Sequence, residues 1–277
     1  RSQVEQDSWQ EQTFVAFDTE TTGQYPLTAE ICEIAAVKWR NGKVIDTLQS
    51  LVLPSHRIPD EVIAIHGITN EMIKDAPAMP DVLPGVLKFI QDSVVMAHHA
   101  AFDVGFLMVE VEKYSLTVPT SPVICTSLLS RNVLPESPNH RLQTLITFLG
   151  LEKGSAHRAL DDSKACLEVG LHCFAKMGAD TNLNQIMARQ GKIIDWPRFS
   201  MRVLARDAVK AKVIEGVKAG RAMTIRYGKG NTPGERQVQP MGLVRSLDGD
   251  YLVAICGLDN TKKRFFIEKI SAAEFNP

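Results

Sequence analysis

The spacing of apolar and polar residues divides the first 178 residues of the chain into strands and helices. Three runs of apolar and β-branched residues near the N-terminus predict strands at 13–18, 31–39 and 44–53. The pair Asn41-Gly42 is a hairpin signal, so these strands are expected to form an antiparallel meander. Farther along, short strand-like runs at 93–97 and 122–126 alternate with helical periodicity at 81–90, 102–111, 141–149 and 157–177. This order predicts a mixed α/β sheet with helices on its faces.

The pattern changes after residue 178. Residues 179–200 are polar and are interpreted as a linker that contains a helix, and a further helix is predicted over 202–219. Four short strands then follow at 223–227, 237–247, 251–257 and 263–270, with turns at 228–231, 248–249 and 259–260. Several short strands joined by tight turns predict a small β-barrel. The chain is therefore divided into a first domain (12–178), a linker (179–200) and a second domain (201–277).

The net charge of −1 conceals opposite charges in the two parts of the chain. Residues 1–200 carry 17 Lys+Arg and 24 Asp+Glu, a net of −7, whereas residues 201–277 carry 14 and 8, a net of +6, and the two sum to −1. An acidic body with a basic tail predicts metal binding or catalysis in the first part and an anionic partner for the second. The alternative is that surface charge differs between two domains without functional meaning.

The five cysteines and the N-terminus predict a cytoplasmic protein. The cysteines form no Cys-x-x-Cys pair, and most lie in apolar runs, where a thiol behaves as a small buried hydrophobic group. An odd number of cysteines without a regular framework is typical of a reducing compartment. The polar residues 1–12 lack the apolar core of a signal peptide, and no apolar run approaches the roughly 20 residues of a membrane span.

Candidate chemistry begins with two acidic residues at the end of the first predicted strand. Asp18 and Glu20 lie two positions apart, so in an extended chain their side chains project from the same face. Two carboxylates in this arrangement repel each other and are costly to desolvate unless a cation lies between them. The alternative is a strand end whose acids are simply solvated.

Three further residues complete a candidate metal site. Asp103 starts a helix just after a predicted strand, and Asp162 lies in the first turns of the last long helix of the first domain. Five helical positions rotate a side chain by about 140°, so His157 cannot share a helix face with Asp162 and is expected in the loop or first turn. Acids that converge in this way can bind two divalent ions, Mg²⁺ or Mn²⁺, and such a pair of ions supports the hydrolysis of phosphodiesters. A histidine next to them can serve as the general base. The alternatives are that Asp103 is a helix-terminal acid, that His157 is a cap or surface residue, and that Asp161 replaces Asp162.

These motifs resemble a known family in their order and composition. Phe-Asp-Thr-Glu-Thr-Thr-Gly at 17–23, His-His-Ala-Ala-Phe-Asp at 98–103 and His-x-x-x-x-Asp at 157–162 resemble the histidine-containing branch of the DEDD exonuclease superfamily. The epsilon proofreading subunit of bacterial DNA polymerase III is a member of that branch. The resemblance covers about 12–178, and Ile-His-Gly-Ile-Thr at 65–69 fits it. One departure is His99, where the family commonly has asparagine.

The resemblance implies a fold, a reaction and a set of site residues. The fold would be ribonuclease H-like, and the reaction would be the 3′→5′ removal of nucleoside 5′-monophosphates from DNA ends. Asp18 would bridge both metal ions, Glu20 and Asp162 would complete one metal site, Asp103 would serve the other, and His157 would take the proton from the attacking water. Thr21, His66 and Phe102 would line the terminal nucleotides. For Phe102 the alternative is an aromatic residue of the helix core, and Glu33 is interpreted as a structural acid.

Residues 201–277 resemble a WYL domain. The signs are Gln-Pro-Met-Gly-Leu-Val-Arg at 239–245, Asp-Tyr-Leu-Val at 250–253 and Lys-Arg-Phe-Phe at 263–266, with Asp250 where the defining tryptophan would stand. The resemblance implies an Sm-like or SH3-like barrel that senses nucleic acids or nucleotides. Basic residues next to aromatic ones suit single-stranded nucleic acid, which makes Arg226, Arg245 and Arg264 candidate contacts. The alternative is a solvated basic surface.

Three functions are compatible with these observations. The leading hypothesis is a metal-dependent 3′→5′ exonuclease whose second domain holds or senses a nucleic-acid strand, with DNA favoured over RNA. The first alternative is a WYL-type nucleic-acid or nucleotide-sensing regulator that uses the nuclease fold as an interaction platform. The second alternative is a polymerase-associated proofreading subunit.

Overall fold

The computed structural model describes residues 6–228 and 234–277, which form two compact units. The first unit consists of the described residues up to Thr22, Ile31–Val104 and Pro119–Asp195, and the second of Gly23–Glu30, Gly105–Val118 and Trp196–Pro277. The second unit thus includes two segments that come from within the range 12–178. The sequence-based limits of the domains stay a prediction. No helix in the described part of the chain is long and apolar enough to cross a bilayer.

The first unit contains the predicted mixed sheet. Its strands are β1 (Phe14–Thr21), β2 (Ile31–Arg40), β3 (Lys43–Leu51), β4 (Val94–Ala97) and β5 (Val123–Cys125), in the order β3-β2-β1-β4-β5. The pairs β1–β2 and β2–β3 are antiparallel. The pairs β1–β4 and β4–β5 are parallel. The strand that carries both acids of the first motif is therefore the central one, and it is covered by neighbours on both edges.

Helices surround this sheet as the apolar periodicity predicts. In the first unit they span Asp60–His66, Asn70–Ile73, Met79–Ile90, Thr126–Val133, Leu142–Leu149, Ala159–Met177 and Leu183–Gln190, and Ala100–Lys113 begins there. The long helix Ala159–Met177 packs against β1 and β2. It begins two residues later than the periodicity predicts, because Arg158 is its N-cap residue. His157 therefore lies in the turn before the helix, as the argument from helical rotation required.

A glycine allows the long helix to approach the sheet closely. A Cβ atom at Gly170 would lie 2.7 Å from the sulfur of Met96 in β4, a distance that would force Met96 to move. This contact belongs to an apolar core that is rich in aromatic residues, with Phe14, Trp39 and Phe174 among its buried members. Such close packing holds the helix, and the acid in its first turn, at a fixed depth against the strands.

All five cysteines are reduced and buried. Burial raises the pKa of the thiols of Cys32 and Cys173 to about 12, and also raises that of Cys166. These thiols are therefore protonated near neutral pH, and they serve as small apolar groups of the core, as their sequence surroundings predict.

The second unit contains a five-stranded antiparallel sheet, which fits the predicted small β domain. Its strands are β6 (Met223–Tyr227), β7 (Gly234–Val244), β8 (Tyr251–Cys256), β9 (Thr261–Phe266) and β10 (Ile270–Phe275), in the order β10-β6-β7-β8-β9. The helices Met201–Leu204 and Ala208–Ala219 belong to the same unit. Buried residues such as Val213, Leu252 and Phe265 share one apolar core.

Two sequence-based elements of this unit are corrected by the structure. The single helix predicted over 202–219 is interrupted, because the side chain of Asp207 accepts a hydrogen bond from Lys210 N and caps a new helix. The single strand predicted over 263–270 ends at Phe266, and a 3₁₀ helix at Ile267–Lys269 leads into β10, which was not predicted. The turn predicted at 228–231 lies outside the described residues except for Gly228.

Candidate active site

Three carboxylates converge at the end of β1. Oxygen atoms of Asp18, Glu20 and Asp162 all lie within 4.8 Å of one another. Asp18 and Glu20 share a face of β1 because they are two positions apart, and Asp162 reaches them from the first turn of the long helix. The rival residue Asp161 is not part of this cluster. Hard divalent cations such as Mg²⁺ and Mn²⁺ prefer such oxygen ligands.

The fourth acid, Asp103, is fixed beside the same strand. It lies in the helix Ala100–Lys113 and is only 2% exposed. The backbone nitrogen and the hydroxyl of Thr19 donate hydrogen bonds to Asp103 Oδ1 at 3.0 and 2.6 Å. Because Thr19 lies between Asp18 and Glu20, these bonds tie the carboxyl of Asp103 to the strand that carries the cluster.

Burial is the largest cause that raises the pKa of all four carboxyl groups, and the charges of nearby acids add to it. Desolvation, followed by the charges of Asp103, Glu20 and Asp162, raises the pKa of Asp18 well above its ordinary value. Desolvation likewise raises the pKa of Glu20 to about 8, that of Asp103 to about 7 and that of Asp162 to about 6. A cluster of carboxylates that is costly to ionise gains most from a divalent cation, so the donor set fits a metal centre.

His157 adjoins the cluster through its backbone. Its nitrogen donates a hydrogen bond to Asp162 Oδ2 at 3.1 Å, and its φ of 59° places it in the left-handed region. Its side chain is exposed. The structure therefore brings the histidine and the acids of the sequence motifs to one place, with the histidine on a loop and the acids on regular elements.

The sequence indicated Glu33 only as a structural acid, and its contacts lead to the same loop. Glu33 is 0% exposed and lies opposite Glu20 in the register of β1 and β2. Its carboxylate accepts hydrogen bonds from Arg158 Nη2 at 2.8 Å, from Arg158 Nε at 3.3 Å and from Ala159 N at 2.8 Å. This ion pair joins strand β2 to the residue next to His157.

Thr21 and His66, predicted to line the terminal nucleotides, are both buried. His66 Nδ1 accepts a hydrogen bond from Ile68 N at 3.0 Å, so Nε2 carries the proton and donates to the carbonyl oxygen of Thr21 at 3.2 Å. Burial is the main cause that lowers the pKa of His66 and favours this neutral form. His66 thus fixes the C-terminal end of the helix Asp60–His66 to the end of β1, and its contact with a nucleotide stays a prediction.

Phe102, the third residue predicted to line the terminal nucleotides, has an exposed ring next to the buried Asp103. It is 40% exposed although the next residue, Asp103, is buried. This exposure argues against the alternative of a core aromatic. A base could stack on such a ring next to the acids.

His99, which departs from the family pattern, has a left-handed backbone with φ of 58°. Histidine and asparagine are both enriched among the residues that adopt this conformation. The replacement therefore keeps the backbone geometry that places the start of the helix Ala100–Lys113.

The neighbouring His98 is buried in a neutral hydrogen-bond network. Its Nδ1 lies 2.9 Å from Thr126 Oγ1, and its Nε2 donates to the carbonyl oxygen of His140 at 2.9 Å. Burial, and then the charge of His99, lowers the pKa of His98 to about 3. Since the unfolded chain binds this proton more readily between about pH 3 and 6.5, the contribution of His98 to stability falls as pH drops through that window.

Replacing His98 by glutamine should flatten this part of the pH dependence. The free energy of unfolding of the wild type, relative to His98→Gln, is expected to fall by about 3 kcal/mol between pH 7 and pH 4. Urea unfolding at several pH values would measure it. The exposed His172 provides the matched control His172→Gln, which should follow the wild type. Parallel pH curves for wild type and His98→Gln would contradict the prediction.

A comparison with protein families agrees with this geometry. The family model described as "Exonuclease" matches residues 15–169, more than half of the chain. The chain belongs to the exonuclease family. A second model, described as "WYL domain", matches residues 208–275 of the exonuclease.

The curated relatives of the exonuclease are longer proteins. A DNA polymerase III PolC-type from Caldanaerobacter subterraneus subsp. tengcongensis is 35% identical over 200 residues, which cover 70% of this chain and 14% of that protein. A putative bifunctional exonuclease/endonuclease protein from Mycobacterium tuberculosis is 37% identical over 189 residues, which cover 61% of this chain and 29% of that protein. The chain thus spans less than a third of either relative.

A solved structure shares the fold of the first unit. The nuclease domain of 3′hExo, described as a DEDDh family member bound to rAMP, has a TM-score of 0.54 at 21% identity, covering 64% of this chain and 97% of that one. The first unit therefore has the ribonuclease H-like fold, and its residues 15–169 are those that match the exonuclease family.

The second unit places the three predicted arginines of the exonuclease in different surroundings. Arg264 is exposed, and its guanidinium lies 4.8 Å from the ring centre of Tyr251, whose ring meets that of Phe266 edge-on. Arg226 is also exposed, 3.8 Å from Glu235. We call Arg264, Tyr251 and Phe266 the aromatic–basic patch.

Arg245 is corrected as a nucleic-acid contact, because it is 7% exposed and paired with Asp250. Its Nε lies 3.1 Å from Asp250 Oδ1, and Arg198 pairs with the same carboxylate at 3.0 Å. The aspartate at the position of the defining tryptophan thus has a structural role here. A guanidinium buried in this pairing is not available to a phosphate.

Removing the shared carboxylate should destabilise the second unit. Asp250→Ala leaves Arg245 buried without its partner, which is expected to cost about 3 kcal/mol. Amide hydrogen exchange of the full chain, followed in peptides from β7 and β8, would detect the loss of protection. The exposed pair of Asp259 and Lys263 offers the control Asp259→Asn, which should leave the exchange unchanged. Unchanged protection in Asp250→Ala would contradict this account.

Proposed function

We propose that the exonuclease removes nucleoside 5′-monophosphates from the 3′ ends of nucleic-acid strands, with single-stranded DNA ends as the preferred substrate. The observation that carries the proposal is the cluster of Asp18, Glu20 and Asp162, whose oxygens lie within 4.8 Å, with His157 on the adjoining loop. When bound there, two divalent ions, Mg²⁺ or Mn²⁺, would activate water and neutralise charge on the phosphate. Asp18 and Glu20 are held for this purpose on the central strand, and Asp103 by Thr19.

His157 has the role of general base in this proposal. The oxygen of a water molecule bonds to phosphorus, its proton goes to the His157 imidazole, and the bond from phosphorus to the 3′ oxygen breaks. The leaving 3′ oxygen takes a proton from solvent and becomes the new 3′-hydroxyl. An imidazole on an exposed loop can accept a proton in one step and return it to solvent in the next.

The test is the pattern of products from end-labelled strands. Single-stranded DNA, duplex DNA and RNA labelled at the 5′ end would be incubated with Mg²⁺, with Mn²⁺ or with EDTA. A ladder that shortens from the 3′ end and disappears with EDTA is the expected result, and it appears first on single-stranded DNA. Internal cleavage products, or digestion that persists in EDTA, would overturn the proposal.

The aromatic–basic patch supports a second role, in which the region that matches the WYL model binds single-stranded nucleic acid. An arginine stacked on a tyrosine offers a base both a cationic and an aromatic surface. In Arg264→Ala, binding of a long single strand is expected to weaken about tenfold, in line with the worth of one stacking contact, while hydrolysis of a trinucleotide is unchanged. Equal binding of long strands by wild type and variant would remove this role and leave the patch a solvated surface.

Polymerase-associated proofreading is a further alternative, and the PolC-type relatives favour it. A proofreading nuclease acts on frayed primer ends, so it should degrade a duplex with a mismatched 3′ terminus faster than a matched one. Equal rates on the two duplexes would favour a role outside replication.

A further inference from the structure

Three carboxylates hold the loop that carries His157 by alternate backbone amides. The hydrogen bonds join Ser155 N to Asp161 Oδ2 at 2.8 Å, His157 N to Asp162 Oδ2 at 3.1 Å and Ala159 N to Glu33 Oε1 at 2.8 Å. The middle carboxylate belongs to the acid cluster, whereas the outer two do not. The loop is thus fastened at its centre to the metal-ligand candidates and on both sides by acids outside the cluster.

The anchor at Glu33 is an ion pair as well as a backbone contact. Arg158 donates to both oxygens of Glu33, and this carboxylate is fully buried on β2. The charge of the buried Glu33 adds repulsion to the cluster, because it is among the causes that raise the pKa of Asp18, Glu20 and Asp162. The guanidinium of Arg158 acts in the opposite direction and lowers the pKa of Glu20. The pair therefore fixes the residue next to His157, and Arg158 offsets part of the repulsion that Glu33 brings.

The anchor at Asp161 depends on a close approach. A Cβ atom at Gly154 would lie 2.6 Å from the carboxyl carbon of Asp161, so only glycine lets the loop come this near. The left-handed backbone of His157 costs about 1 kcal/mol relative to the ordinary helical region. Because this backbone conformation is unfavourable and the loop is exposed, the loop needs contacts that hold it in place.

We propose that Asp161 and Glu33 are positioning residues that hold His157 beside the acid cluster. The inference rests on the proposed function of His157 as the general base. Neither residue needs to contact substrate, because each acts by keeping the loop closed. They therefore contribute to kcat, which depends on the presence of the base, and not to substrate binding.

The first experiment measures loop order without metal or substrate. Trypsin can cleave the loop after Lys153 or Arg158, and mass spectrometry identifies each fragment. In Asp161→Ala, which has no acceptor for Ser155 N, cleavage after Lys153 is expected to be about tenfold faster, because a charge-assisted hydrogen bond is lost. Asp161→Asn keeps an acceptor oxygen and should be cleaved as slowly as the wild type. Glu33→Gln, which loses the charge that attracts Arg158, should be cleaved faster after Arg158.

The second experiment measures turnover in the same variants. A kcat about tenfold below the wild type with an unchanged KM is expected for Asp161→Ala, and Asp161→Asn should restore it. Glu136→Gln, which disrupts only an exposed pair with Lys176, is the matched control in both experiments. Wild-type cleavage rates in both Asp161→Ala and Glu33→Gln would overturn the proposal.

The two experiments separate this inference from the proposed function. If trypsin cuts the variant loops faster but a His157 variant keeps full activity, the positioning contacts exist and the general-base assignment is wrong. If the loops of the variants stay closed while a His157 variant is inactive, the general base is supported and the positioning role is wrong.

Discussion

Replacing Asp18 by asparagine is expected to lower metal-dependent hydrolysis by ~10³-fold or more, since metal-ion catalysis is worth several kcal/mol. The same change should stabilise the metal-free protein. Asp18 is the carboxylate whose pKa is raised by burial and by the charges of Asp103, Glu20 and Asp162, and asparagine removes this repulsion without leaving a cavity. The melting temperature in EDTA is expected to rise by about 2–4 °C for each kcal/mol of repulsion removed.

Gel assays with Mg²⁺ and calorimetric scans in EDTA would measure the two effects of Asp18→Asn. Asp92→Asn, which removes an exposed acid of the same unit at a left-handed position that asparagine also tolerates, is the matched control and should change neither quantity. A variant that is inactive and also less stable would indicate that Asp18 supports the fold. A variant that keeps its activity would remove Asp18 from the metal site.

Replacing His157 by asparagine is expected to lower kcat by about 10²–10⁴-fold, the usual contribution of a general base. Asparagine is the informative substitution because it tolerates the left-handed backbone at φ of 59°, which alanine does not. The hydrogen bond to Asp162 comes from the backbone nitrogen, so it survives in the variant. Metal binding should therefore be retained while turnover is lost.

Steady-state kinetics and titration of Mn²⁺ into the protein, followed by calorimetry, would test this separation. His172→Asn changes an exposed histidine on the long helix and serves as the control. A His157→Asn protein that loses turnover and Mn²⁺ affinity together would show that the loop organises the metal site. Full turnover in His157→Asn would mean that another group accepts the proton.

Much of the first unit could be predicted because its signals are local. Asp18 and Glu20 share a face because they are two positions apart on one strand. His157 and Asp162 cannot share a helix face because of their spacing within one element. The long helix does begin after His157. The sequence did not predict the break before Asp207, because a single cap aspartate within an apolar pattern is a weak signal. It did not predict strand β10, because that strand is short, contains small residues and directly follows a 3₁₀ helix.

The contacts that could not be predicted join residues far apart in the sequence. Arg158 and Glu33 are separated by 125 positions, and no spacing rule identifies such a pair. The same holds for Arg245, whose sequence surroundings are those of an exposed basic strand until Asp250 and Arg198 are brought to it. Tertiary structure decides which charges are paired. It therefore also decides which arginines remain available to bind a phosphate.

The burial of all five thiols makes it practical to label the loop that carries His157 with a fluorescent dye. Because the native cysteines are buried, a maleimide dye should react slowly with the folded wild-type protein. A cysteine introduced at Ala156, an exposed position next to His157, would then be the one fast-reacting thiol among the described residues. Fluorescence from that single label could report opening and closing of the loop in real time, with no need to remove the native cysteines from the core.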